Sequence, residues 1–326
     1  MCQADYQTRT SCGLQGRGRK ATARKLAILV GGPMDRFYPI PTLRHVALPA
    51  SRAGYAVHFY VLLGAALPGR QPFNAYWYRP AVNPWGQNLS QVQLEEYTIR
   101  HARHYGVSHV AFGLQHTVAV DSLPKDATWK RWLGTEDGGR SSKLQRILLN
   151  MQNMELLWNW TRELALGPYH QLLVVRAYTH WVDDFRIQEL PDPWAVYAKP
   201  WGSLCQTPPQ PDVPDDRAIL VGGKVAHQVF TAYTEYFHNP NPELDTPRRI
   251  EEYIRKVSEV KGVPWRIVRQ GLFPFFAGMH VRPPGSEEPI FCLRGIQEKA
   301  LYHHPGAECV SPALIRHPFC EDFELL

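Results

Sequence analysis

Apolar residues in this chain fall into short uninterrupted runs, separated by stretches with helical spacing. Leu26-Ala27-Ile28-Leu29-Val30 is uniformly apolar and stops at Gly31-Gly32-Pro33, the pattern of a buried strand running into a glycine turn. Residues 55–63 place Val57, Phe59 and Val61 on alternate positions and predict a second strand. Between them, residues 39–53 predict a helix entered through Pro41. Strand, helix, strand in that order implies a parallel pair. Residues 107–112, 172–175 and 218–221 predict further strands, and residues 89–105 a further helix. The clearest helix covers 141–166, where Leu144, Ile147, Leu148, Met151, Met154, Leu157 and Trp158 recur at helical spacing and Gly167 ends the pattern. Residues 224–237 and 246–260 read as helices, the second opened by Pro247.

These elements predict an α/β fold: a mostly parallel, Rossmann-like central sheet flanked by helices. Residues 1–25 read as a disordered basic tail, 26–270 as one domain, and 271–326 as an irregular C-terminal extension packed on that domain. Residues 64–90 form a long loop whose Trp77, Tyr78 and Trp85 either stack on a base or sugar ring or pack the loop down.

Composition narrows the function classes. With 326 residues, 44% hydrophobic and 20% charged, the chain is long and apolar enough to bury a core without staples. The net charge of +6 owes much to Arg17, Arg19, Lys20, Arg24 and Lys25. Such a tail either touches nucleic acid or a membrane surface, or is simply solvated. Beyond it no basic stretch interleaved with aromatics follows, so a nucleic-acid partner is not expected. No apolar run reaches the ~18–20 residues of a membrane span, and no signal-peptide core opens the chain. Residues 7–25, rich in Arg, Thr and Ser and free of acids, leave a transit peptide open. The compartment is then cytoplasmic, or a secretory lumen if an anchor or targeting segment is missing. Six cysteines without a CxxC pair (Cys2, Cys12, Cys205, Cys292, Cys309, Cys320) disfavour a zinc ribbon and leave disulfides or free thiols open. Two glycosylation triplets begin at Asn88 and Asn159, the second inside the predicted helix.

Three constellations carry candidate chemistry. Gly31 and Gly32 end a strand at the sheet's carboxyl edge, where α/β folds bind nucleotides, and Arg36 just beyond would meet a diphosphate. Neither GxGxxG nor a Walker loop is present, which disfavours a dinucleotide enzyme or an ATPase. The strand at 172–175 leads into Arg176, His180 and the adjacent acids Asp183 and Asp184. Near a core, two such acids call for a divalent cation; in solvent they need only salt bridges. Asp215-Asp216-Arg217 precedes the strand at 218–221, as a general base with an orienting arginine or as a strand cap. Among the histidines only His180, just ahead of Asp183 and Asp184, stands out from His303, His304 and His317.

The order of these segments resembles the GT-A-like glycosyltransferases of large algal viruses, algae and other eukaryotic microbes. The resemblance rests on residues 29–37, on the long helix ending in Gly167-Pro168-Tyr169-His170, on the strand ending at Arg176, on Asp215-Asp216-Arg217-Ala218 and on Pro242-Glu243. It covers roughly residues 26–270. Arg176 and Asp183 stand further apart than in that group, and Ala218 replaces its Phe. The resemblance implies transfer of a sugar from a nucleoside diphosphate sugar to a glycan or glycoconjugate hydroxyl. Gly31, Gly32, Arg36 and Arg176 would bind the donor, Asp183 and Asp184 would hold Mn²⁺ or Mg²⁺, and Asp216 would act as base, oriented by Arg217. A non-catalytic carbohydrate- or nucleotide-sugar-binding relative is the alternative, and a hydrolase without GxSxG or HExxH is more remote.

Overall fold

The computed structural model describes residues 9–13, 24–64, 89–115, 142–201, 210–245, 247, 250–281 and 290–293. Its centre is an eight-stranded sheet. The strands are β1 (Arg9–Gly13), β2 (Lys25–Pro33), β3 (Ala56–Gly64), β4 (Val107–Gln115), β5 (Gln171–Arg176), β7 (Val196–Ala198), β10 (Ala218–Gly222) and β11 (Trp265–Ile267). Their order across the sheet is β1-β4-β3-β2-β5-β10-β7-β11. β2, β3, β4 and β5 are parallel, β10 inserts antiparallel between β5 and β7, and β1 closes the far edge antiparallel to β4. The mostly parallel α/β sheet expected from the sequence is therefore present.

The central strands are apolar throughout because both faces are covered. On one face, α1 (Ile40–Thr42), a π-helical turn (Leu43–Ala47) and α2 (Leu48–Arg52) form one continuous helical segment. Its Leu43, Val46 and Ala50 pack with Leu94 and Ala102 of α3 (Gln91–His104) against Ile28, Val30, Phe59 and Val61. On the other face lie α4 (Ser142–Glu163), α5 (Ala226–Phe230), α6 (Ala232–His238) and α7 (Ile250–Glu259). Met151, Leu157, Trp160, Phe230, Tyr236 and Tyr253 meet Ala27, Leu29, Tyr60 and Leu62 there. Ser90 caps α3 reciprocally with Gln93, which fixes where that helix starts.

The chain winds outward from β2 to β3 to β4 along one face. It then crosses by α4 on the other face to β5, on β2's free side. That reversal is a topological switch point, and its crevice lies at the carboxyl ends of β2 and β5.

Small additions complete the frame. A three-stranded sheet joins β6 (Thr179–Trp181), β12 (Phe275–Val281) and β13 (Ile290–Leu293), and β8 (Pro200–Trp201) pairs with β9 (Gln210–Pro214). Five residues of the stretch read as a disordered tail, Arg9–Gly13, form a strand on β4, because that edge offers open backbone groups. The single helix expected over 224–237 divides at Thr231 into α5 and α6. Asn159 lies within α4, where its neighbours Trp160 and Thr161 are buried. Arg17, Arg19, Lys20, Trp77, Tyr78, Trp85, Asn88, Cys2, Cys205, Cys309, Cys320, His303, His304, His317 and most of the C-terminal extension lie outside the described residues.

Candidate functional site

β2 brings Gly31 and Gly32 to the switch point, though not as a free turn. Both continue the ladder, opposite Leu62 and Leu63 of β3. The Gly31 carbonyl accepts the Ala177 N–H at 2.9 Å. Gly32 has φ +146°, and a Cβ there would lie 2.8 Å from the Ala177 Cβ. Glycine is thus required for the β2 end to touch the turn after β5. Arg36 follows in a half-buried 3₁₀ turn, Met34–Arg36, at the same edge.

β5 delivers Arg176 beside these glycines, opposite Gly31 in register. Because β10 is antiparallel to β5, its beginning rather than its end lies at this edge. Asp215, Asp216 and Arg217 therefore meet the residue that follows β5's apolar run. The Arg176 N–H donates to the Arg217 carbonyl at 2.8 Å, and Thr179 Oγ1 donates to the same carbonyl at 3.1 Å. Arg176 Nη2 forms an ion pair with Asp216 Oδ2, both side chains being largely buried. Arg217 Nε lies 3.4 Å from Asp215 Oδ1, and that oxygen also accepts the Arg217 N–H at 3.1 Å. The orienting arginine expected for Asp216 is thus Arg176, while Arg217 serves Asp215.

Asp183 and Asp184 sit elsewhere in the local structure. They follow β6 and are exposed, so burial does not demand a cation for them. Asp183 Oδ1 accepts the Asp184 N–H at 2.7 Å, and Asp184 Oδ1 lies 3.1 Å from His45 Nδ1 in the π-helical turn. Among the described residues no group of three His, Cys, Asp or Glu side chains forms a metal-ligating cluster. His180, in β6 opposite Phe276, has its pKa lowered to about 3, first by burial and then by His45. Its imidazole is neutral.

Sequence reasoning missed three residues here. Lys199, after β7, is 1% exposed, and its Nζ donates to the Phe275 carbonyl at 2.6 Å over the Phe275 ring. Its own carbonyl accepts the Asp215 N–H at 2.7 Å, which ties the lysine to the acidic segment. Burial pushes its pKa down to about 7, against the pull of Asp215 and with the push of Arg217. No pattern marks a single lysine in a proline-rich stretch. The other two are Gln115, at the carboxyl end of β4, and Asn153 of α4. Each has a buried amide oxygen without a hydrogen-bond donor among the described residues, and the Asn153 Cβ lies beside Gly31. Asn153 falls inside the apolar helix, where its polarity was the available signal.

No protein-family model matches the chain, and no curated protein matches it in sequence. Among solved structures, the chain is similar to a nucleoside-diphosphate-sugar pyrophosphorylase from Vibrio cholerae RC9. Identity is 13% over 85% of this chain and 99% of that one, with a TM-score of 0.37. It is also similar to a glycosyltransferase involved in the glycosylation of the major capsid of PBCV-1. There the identity is 10% over 65% of this chain and 82% of that one, with a TM-score of 0.31.

Proposed function

We propose that this protein is a glycosyltransferase that moves a sugar from a nucleoside diphosphate sugar to a hydroxyl of a glycan or glycoconjugate. The observation that carries the reading is the buried Arg176–Asp216 pair at the switch point, beside the end of β2. An arginine at that edge suits a diphosphate, which it can bind in bidentate fashion as charge develops on the leaving group. A carboxylate beside it suits the acceptor: the sugar's bond to the diphosphate breaks, the acceptor oxygen takes its place, and the hydroxyl proton passes to Asp216. Gly31 and Gly32 let the end of β2 meet the turn that follows Arg176, beside which the donor would lie, and Arg36 adds a second cation for the donor. In this reading Asp183 and Asp184 would hold Mn²⁺ or Mg²⁺, which would offset the charge of the donor's diphosphate.

A non-catalytic nucleotide-sugar-binding protein is the second reading. It is favoured by one observation: Asp216 is already engaged by Arg176.

Thermal stability against a panel of nucleoside diphosphates, each with and without Mn²⁺, tests the proposal. One nucleotide is expected to raise the melting temperature, because a ligand that binds only the folded state stabilises it. Arg176→Ala is expected to abolish that rise. Asp216→Asn is expected to keep it while stopping sugar transfer. A rise without Mn²⁺ removes the cation role of Asp183 and Asp184, and no rise with any nucleotide overturns the reading.

A further inference from the structure

Charge is unevenly spread along this chain. Residues 6–120 hold 13 Arg and Lys against three Asp and Glu, whereas the remaining residues hold 23 against 27. An asymmetry of that size points to an anionic partner for the basic part. The three acids of residues 6–120 are Asp35, Glu95 and Glu96. They lie toward the carboxyl edge of the sheet, in the turn after β2 and in the first half of α3. Cations gather at the other edge.

That amino-terminal edge is one continuous rim. β2, β3, β4 and β5 begin there, and the antiparallel β10 ends there. The Gly106 N–H donates to the Arg103 carbonyl at 3.3 Å, and a Cβ on Gly106 would lie 2.5 Å from Ser51 Oγ. The turn after α3 therefore touches the end of α2. The Ala56 N–H donates to the Arg24 carbonyl at 2.8 Å, the His170 N–H to the Lys25 carbonyl at 2.9 Å, and the Gly223 N–H to the His170 carbonyl at 2.9 Å. The Lys224 N–H then donates to the Pro193 carbonyl at 3.0 Å, which joins the turn before β7 to the row. From β4 to β7 the rim crosses six neighbouring strands, about 24 Å at ~4.8 Å per spacing.

Arg24, Arg52, Arg103, Arg162 and Lys224 are exposed along this rim, and none has a carboxylate partner among the described residues. Cations at the carboxyl ends of helices suit the helix dipole, which accounts for Arg52, Arg103 and Arg162. It does not account for Arg24 and Lys224, which flank strands. Two acids share the rim: Glu163 ends α4, and Asp192 is ion-paired with Arg266. Trp194, before β7, is 59% exposed, and its N–H donates to Asp192 Oδ1 at 2.9 Å, which fixes the turn that presents it. The other large apolar side chain exposed among the described residues, Val92, belongs to the first turn of α3, toward the opposite edge.

We propose that the amino-terminal rim is a docking surface for an anionic membrane. The arginines and Lys224 meet the lipid headgroups, and Trp194 sits at the boundary between headgroups and chains, where an indole is favoured. A row of cations with an indole at one end suits a flat surface. A nucleic acid calls instead for aromatic side chains exposed among the cations, and the described rim has none there. Docked in this way, the molecule turns its carboxyl edge to the water.

Sedimentation of the chain with vesicles tests the proposal, with phosphatidylcholine alone in one arm and phosphatidylcholine with phosphatidylserine in the other. Binding is expected in the second arm only, falling steeply as salt screens exposed charges. Arg52→Glu with Arg103→Glu should weaken it by at least about tenfold. Trp194→Ala should weaken it several-fold, with the melting temperature unchanged in both variants. If the charge reversals unfold the chain, Arg52→Gln with Arg103→Gln takes their place. No binding to phosphatidylserine vesicles overturns the proposal, as does equal binding in the two arms. Binding that survives the double variant would belong to Arg17, Arg19 and Lys20 rather than to the rim, and overturns it too. A further arm uses duplex DNA and RNA: tighter binding there, lost in the same double variant, would assign the rim to nucleic acid and overturn the membrane reading.

Discussion

Lys199 shows how much a single side chain can carry unannounced. An unfolded lysine titrates near ~10.4, whereas the buried one is lowered to about 7. Between those values the unfolded chain binds more protons, so this residue makes stability rise with pH. Its contribution is complete above the unfolded value and is lost as pH falls through 7. Denaturant unfolding of the native chain and Lys199→Met from pH 7 to 10 should show the native stability climbing relative to the variant. A difference that stays flat would contradict a depressed lysine. The same segment marks the limit of reading single residues from the sequence. Asp215, Asp216 and Arg217 stood out as a triplet, but their partners did not. Which arginine serves which acid depends on the cross-strand register of β5 and β10, and no local pattern records that register. Asp183 and Asp184 illustrate the converse. Adjacent acids after an apolar strand look buried in the sequence, yet the chain has already left the sheet through β6 before reaching them.

At the level of elements, the long helix α4 has the firmest basis. It seals one face of β2 and β3 while its flanks carry Asn153 toward one edge of the sheet and Trp158 toward the other. Leu157 is fully buried, and its Cδ1 lies 3.5 Å from where a Gly31 side chain would begin. Leu157→Ala is therefore expected to cost about 2–5 kcal/mol, since neighbours on a sheet cannot collapse into the space. Equilibrium denaturation measures it, and a loss below ~1 kcal/mol would mean that α4 is loosely seated. Elements of this kind were legible: β2, β3, β4, β5, β10, α3, α4 and α7 all lie within a few residues of their expected positions, because each carries its own periodicity or apolar run. β6, β7, β8 and β11 were not. At two or three residues each, they are too short to show a period and exist because a neighbour's backbone is available. The π-helical turn in residues 43–47 is equally silent in the sequence.

Across the whole molecule, burial lowers the pKa of several histidines. His58 is lowered to about 4 by burial, with His109 and Lys25 adding to the effect, and His180 to about 3; His109 and His101 are lowered as well. Each folded value lies below the ordinary ~6.5, so their stabilisation is whole above that pH and drains away as acid approaches the folded values. At ~1.4 kcal/mol per unit, His58 alone accounts for roughly 3 kcal/mol of loss between pH 6.5 and 4. His58→Gln should flatten the acid limb of the stability curve by about that amount, and an unchanged limb would show that His58 is not what titrates. The antiparallel strand β10 has a further consequence, and it concerns time. β7 bonds within the sheet only to β10 and β11, so it has no place until β10 lies against β5. During synthesis the strands from β2 to β5 can assemble as they emerge, while β7 must wait for residues that come some twenty positions later. Insertion of β10 is then one event with two products: it gives β7 its place in the sheet, and it brings Asp216 to Arg176.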